Sequence, residues 1–170
     1  MILRPASLDD TESLAALGRD SFVAAFGHIY HPPDLECFLQ ETYAPEVVAR
    51  EIAHPDRLHH LAITDDRLAG FCKLALSSPY AKHSDAQRPI ALGQLYTQPR
   101  LTGQGIGAAL MDWTLGEARG RNADAIQLSV YSDNPGAQRF YARYGFTKIA
   151  DVDFWVGTHR DDEFLFELRL

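Results

Sequence analysis

The sequence predicts a single α/β domain over residues 1–170, with a mixed sheet of about seven strands and four or five helices. Three observations carry that expectation. Between Ile90 and Val130 an apolar run, a helical pattern and a second apolar run follow one another, a βαβ unit that requires a parallel strand pair and a right-handed crossover. Just upstream, two strand-like runs are separated only by an Asp65-Asp66 turn, too short for a crossover, so they form an antiparallel hairpin and the sheet is mixed. The chain is 170 residues long and 46% hydrophobic, enough to bury a core without disulfides or metals.

The elements can be justified in order. "ILRPA" is a short strand, and "SLDD" reads as a capping box, with Ser7 as N-cap and Asp10 three residues on, opening a helix through about Phe26. Leu14, Leu17, Phe22 and Phe26 lie close to one face of it. "HPPDLECFLQETY" repeats the logic with Pro33 early and Leu35, Phe38 and Leu39 apolar, and "APEVVAREIAH" is a third short helix stopped by Pro55. "LAIT" and "LAGFCKLAL" are the hairpin strands. "SSPYAKHSDAQRP" is a polar surface loop, and "IALGQLYT" is a strand that feeds a glycine-rich turn. A helix from Gly107 to about Arg119 carries Leu110, Met111, Thr114, Leu115 and Ala118 at helical spacing. The strand "AIQLSV", the helix "NPGAQRFYARY", the strand start "GFTKI" and the closing strand "DEFLFELRL" complete the order.

Composition excludes several functions. A net charge of −7 opposes nucleic-acid binding, which needs a basic footprint, and suits a cationic small substrate as well as simple solubility. No window reaches the roughly 18 apolar residues of a membrane span, and "MILRPASLDD" lacks the pattern of a signal peptide, so a soluble, cytoplasmic chain is expected. Cys37 and Cys72 sit in apolar contexts and read as buried, reduced core residues. The seven histidines show neither i, i+4 helical spacing nor flanking cysteines, so no metal site is expected.

"QPRLTGQGIGAALM" places Gly103, Gly105 and Gly107 where a strand gives way to a helix. A helix start leaves four N–H groups without partners, and with the helix dipole these attract anions; glycines let phosphate oxygens approach. The same glycines would also serve a tight helix-to-strand turn, and both readings stand at this level. Among phosphate cradles, a Walker loop needs a Gly-Lys-Ser/Thr ending that "GIGAAL" lacks. Gly103, Gly105 and Ala108 satisfy G-x-G-x-x-A, but Gln98–Thr102 separate them from the strand and no acid ends the next strand. What remains is a pyrophosphate cradle without a ribose-reading acid.

"LYTQPRLTGQGIGAALM", followed some thirty residues later by "NPGAQRFYARYGF", resembles the GNAT superfamily of acetyl-CoA-dependent N-acetyltransferases. The resemblance implies a mixed, mostly antiparallel sheet with a central βαβ unit. It also implies a turn over Thr102–Gly107 that grips the pyrophosphate of coenzyme A, with Gln104, Gly105, Ile106, Gly107 and Ala108 as N–H donors. The usual Arg or Gln at the first turn position is Thr102 here, which implies modestly altered affinity. Backbone of Leu95, Tyr96 and Thr97 would pair with the pantetheine arm beside a strand bulge. Asn134 and Ala137 match the second motif; Asn134 would bind the arm or a nearby loop, or serve as an ordinary N-cap. Tyr141 would protonate the departing sulfur, or belong to a packing cluster with Phe140, Tyr144 and Phe146.

The ends, "SFVAAFGHIYHPPDLECFLQETY" and "DFWVGTHRDDEFLFELRL", resemble more loosely the bacterial spermidine/spermine N-acetyltransferases, so a polyamine is the favoured small amine acceptor. The aromatic N-terminal helices would wall off a small pocket. Many relatives carry a glutamate two residues before Leu95, where this chain has Gly93, so the general base is left unassigned, with relay through water to His31, Asp34 or Glu36, or deprotonation in bulk, as the options. Direct transfer of acetyl to a primary amine is expected, with a possible homodimer. The alternatives are acetylation of protein N-termini or lysines, and a non-catalytic acyl-CoA-binding regulatory module.

Overall fold

A computed structural model describes residues 1–170 as a seven-stranded sheet covered by helices on both faces. The strands are β1 (Ile2–Pro5), β2 (Arg57–Thr64), β3 (Arg67–Ala75), β4 (Pro89–Thr97), β5 (Ala125–Tyr131), β6 (Thr147–Val156) and β7 (His159–Arg169). Their order is β1-β2-β3-β4-β5-β7-β6. Every neighbouring pair is antiparallel except β4 with β5, the parallel pair of the expected βαβ unit. The helices are α1 (Thr11–Phe26), α2 (Pro32–Tyr43), α3 (Pro45–Ala53), α4 (Ile106–Gly120) and α5 (Pro135–Arg143).

The capping box closes as its spacing predicts, though the first turn, Leu8–Asp10, is 3-10 and α1 starts at Thr11. Backbone N–H and hydroxyl of Ser7 both donate to Asp10 Oδ2, at 2.8 and 3.0 Å. Arg4 donates to both Asp10 oxygens, at 2.7 and 2.8 Å, and this guanidinium holds the carboxyl far below its usual range. A lowered folded pKa contributes stability that is complete above the unfolded carboxylate's pKa and fades as pH falls through the folded one. Asp10→Ala should therefore cost about 1 kcal/mol at neutral pH. Thermal melts should show the gap to wild type closing as the solution is acidified.

Strand alternation divides the core between the two faces. On one, Leu61 and Phe71 pack with Leu14, Leu17 and Val48 of α1 and α3. On the other, Ala62, Cys72 and Leu74 meet Ile106, Leu110 and Met111 of α4. Leu110 and Met111 are fully buried, and burying side chains of that size contributes roughly 1.5–3 kcal/mol each. A third cluster joins Phe22, Leu39 and Tyr43 to Val156, so α1 and α2 reach the far end of the sheet.

One expectation needs correction. Cys72 is buried, but Cys37 is exposed, its thiol 3.5 Å from Glu41 Oε1. The inward stripe of α2 runs through Leu35, Leu39 and Tyr43, and Cys37 stands two residues, about 200°, from Leu39. The polar loop after β3 lies at the surface as expected, tied to β5 where Ser78 donates to Gln127 Oε1 at 2.6 Å and Tyr80 to Ser129 Oγ at 3.2 Å.

Candidate active site

The site begins where the sheet comes apart. β4 and β5 pair only through Pro89–Ala91 against Ala125–Gln127; beyond that point β4 keeps β3 and β5 keeps β7, with no ladder between them. Opposite β3, Lys73 pairs with Gln94 and Leu74 with Leu92, so Gly93 is the extra residue of a bulge, which twists β4 away. From Leu92 to Thr97 the β4 backbone thus has an unpaired edge toward the gap.

A cleft of about 820 Å³ opens along that edge. Its floor is the glycine turn, where Gly103 and Gly105 have φ of +79° and +80°, conformations that side-chain-bearing residues rarely adopt. An added Cβ at either would meet nothing within 4 Å, so the space above the turn is open. From Gly103 through Ala108 no backbone N–H donates to a protein acceptor; the first bonded one is Ala109, to Gly105 O at 2.9 Å. Arg143 is the one charged side chain lining the cleft, and its guanidinium stands over the Phe140 ring, 5.8 Å from the centroid. Ser21 of α1 also lines it, with a buried hydroxyl that has no partner. Free N–H groups at a helix start, a guanidinium and an orphan hydroxyl together suit an anionic, phosphate-bearing ligand.

Tyr141, on α5, stands where this cleft meets a second, inner cavity of about 360 Å³. Leu95, Tyr96, Asn134 and Ala137 also line both. Burial, then the neighbouring Tyr96 and Cys72, push the Tyr141 phenol well above its ordinary pKa. Its ring packs on Phe140 and Phe146 at 5.3 and 5.8 Å. Asn134 Oδ1 accepts the Ala137 N–H at 3.1 Å, capping α5.

Aromatic side chains of α1, α2 and β6, including Phe22, Phe26, Phe38 and Phe154, wall the inner cavity. Two carboxylates of β7, Asp161 and Glu163, line it as well. Asp161 receives the Tyr30 hydroxyl and pairs with His159 Nε2 at 3.0 Å. The ammonium of Lys73 is held by Glu51 at 2.9 Å.

A model of the acetyltransferase (GNAT) family matches residues 20–146. The chain belongs to that family. It is thus an acetyl-CoA-dependent N-acetyltransferase. An N-acetyltransferase from Lactobacillus delbrueckii subsp. lactis, uncharacterized and from the pepI 3′ region, is 26% identical over 161 residues, 95% of this chain and 92% of its own. A spermidine N(1)-acetyltransferase from Thermoplasma acidophilum is 27% identical over 155 residues, 89% and 90% of the two chains. The crystal structure of the PaiA N-acetyltransferase from Thermoplasma acidophilum in complex with coenzyme A superposes with a TM-score of 0.82 at 24% identity, covering 99% of this chain and 98% of that one.

In this acetyltransferase the residues singled out from the sequence converge. Leu95, Tyr96, Thr97, Thr102, Gly103, Gly105, Ile106, Gly107, Ala108, Asn134, Ala137 and Tyr141 all line the outer cleft. Gln104 does not, although its N–H is among the unpaired ones of the turn. The relay candidates lie elsewhere. Asp34 accepts from the Thr158 N–H at 2.7 Å and its hydroxyl at 3.0 Å, Glu36 binds Arg19 at 3.1 Å and Gln40 at 2.9 Å, and exposed His31 occupies the N-cap position of α2 without a side-chain capping bond. None of the three lines either cavity. Sequence reading missed Arg143, Ser21, Asp161 and Glu163. The last two carry a legible signal: they alternate with buried Leu165 on the inward face of β7, where an acid needs a reason.

Proposed function

We propose that this acetyltransferase transfers acetyl from acetyl-CoA directly to a primary amine of a small cationic molecule, with a polyamine as the acceptor class. The observation that carries the reading is the inner cavity itself: aromatic-walled, bearing two carboxylates, and separated from the glycine cleft by Tyr141. Alkyl segments of the acceptor pack on the Phe rings, and its positive charge is drawn to the acids. The reading gives the N–H groups from Gly103 to Ala108 the pyrophosphate, aided by Arg143, and the unpaired edge of Leu95–Thr97 the pantetheine amides. Asn134 and Ala137 flank the arm where α5 begins. Tyr141 is the proton donor to the leaving sulfur, and its raised pKa keeps it protonated at neutral pH.

Cys72, pushed up to about 12 by burial, remains a thiol in the core, which favours direct transfer over an acyl-enzyme. The two unpaired thiols suit a reducing, cytoplasmic setting. Thiol release from acetyl-CoA should be measured with polyamines, amino acids, aminoglycosides and peptide N-termini. The reading expects polyamines to be turned over best. Preference for peptides would move the assignment to protein acetylation, and binding without any turnover would make the chain a regulatory module.

A further inference from the structure

An ammonium acceptor must lose a proton before it can attack, and Gly93 offers no side chain to take it. The polar groups of the inner cavity are largely committed. Tyr43 donates to Tyr96 Oη at 3.4 Å, Gln94 to Tyr43 Oη at 3.3 Å, and Tyr80 to Ser129 Oγ at 3.2 Å. Asp161 is held by Tyr30 and His159, and Lys73 by Glu51. Glu163 is the exception: its Oε2 is buried and has no hydrogen-bond partner, although an unpaired buried carboxylate oxygen is costly to retain. Its register partners are Tyr131 on β5 and Val152 on β6, beside the gap that Tyr141 overlooks.

From these placements we infer that Glu163 is the proton acceptor for the amine substrate, working across the inner cavity from Tyr141. This rests on the amine-acetylating reading above. The steps balance. R–NH3+ gives one proton to Glu163, directly or across one bridging water. The freed amine attacks the thioester carbonyl, and the C–S bond breaks as C–N forms. Tyr141 protonates the leaving sulfur and is reprotonated by the second N–H proton. Glu163 then releases its proton to solvent, leaving N-acetylamine and free thiol.

The surroundings suit a base. Burial raises the Glu163 pKa, a hydrogen bond from the Ser129 side chain opposes the rise, and nearby Asp161 adds to it. The other groups close enough to feel its charge are the phenols of Tyr30, Tyr80 and Tyr96. Lys73 is the only cation lining the cavity and is already paired. A carboxylate with a raised pKa is a stronger proton acceptor that works only above that pKa. Because a raised folded pKa favours the protonated form, the charge weakens the fold at neutral pH, so the neutral isostere should not destabilise it.

The test compares wild type with Glu163→Gln, following thiol release from acetyl-CoA across pH with spermidine and with trifluoroethylamine, an amine neutral at pH 7. For spermidine at pH 7 kcat/KM should fall about a hundredfold, recovering as the pH approaches the amine's own pKa. The neutral amine should lose less than about tenfold. Coenzyme A affinity and melting temperature should hold, with Glu163→Asp restoring part of the rate. An unchanged spermidine profile, or equal losses for both amines, overturns the role of Glu163 alone. A wild-type protein that binds acetyl-CoA yet acetylates neither amine overturns this role together with the reading it rests on.

Discussion

Tyr141→Phe is expected to lower kcat by about a hundredfold or more with coenzyme A affinity unchanged. The substitution removes one hydroxyl and leaves the ring, which packs on Phe140 and Phe146 at 5.3 and 5.8 Å, so neither the α5 face nor the cleft wall collapses. What is lost is a proton at the junction of the two cavities. A thiolate leaves less readily without it, so the effect falls on the chemical step rather than on binding. Steady-state kinetics with saturating acetyl-CoA and a calorimetric Kd separate the two. A rate within about threefold of wild type would assign Tyr141 to packing, the alternative its neighbours in "FYARYGF" support.

The second large effect is at the glycine turn. Gly105→Val forces a β-branched side chain to φ +80°, a strain of order 1–3 kcal/mol, and sets methyl groups in the space above the N–H row. Coenzyme A affinity should fall about tenfold to a hundredfold. Gly116→Ala is the control: this glycine is exposed in α4, has open space around it and no positive φ, so alanine should stabilise the helix by about 0.5–1 kcal/mol and leave binding alone. Equal binding losses in both variants would mean that the turn matters only as part of the helix.

Much of this architecture is written in local pattern. The Ser7–Asp10 box, the helical spacing of Leu110, Met111, Thr114 and Ala118, and the short Asp65-Asp66 connection each act within a few residues, and each is found as the pattern requires. The glycine turn is legible because backbone chemistry needs only the absence of side chains. Features set by cross-strand register are not. Nothing local to Gly93 tells that β3 skips it, and nothing local to β5 tells that its pairing with β4 ends at Gln127. Glu163 acquires its meaning from that gap, and from strands whose partners lie far away in sequence. Cys37 fails for a smaller reason: an apolar neighbourhood in sequence says little until the phase of the helix is known.

The central claim is that the free N–H groups from Gly103 to Ala108 hold the pyrophosphate of acetyl-CoA. Calorimetry on the wild-type protein with coenzyme A and with pantetheine, which lacks the pyrophosphate, tests it most directly. The account predicts micromolar binding of coenzyme A and at least about a hundredfold weaker binding of pantetheine. Equal affinities for the two, or no coenzyme A binding at millimolar concentration, would contradict it.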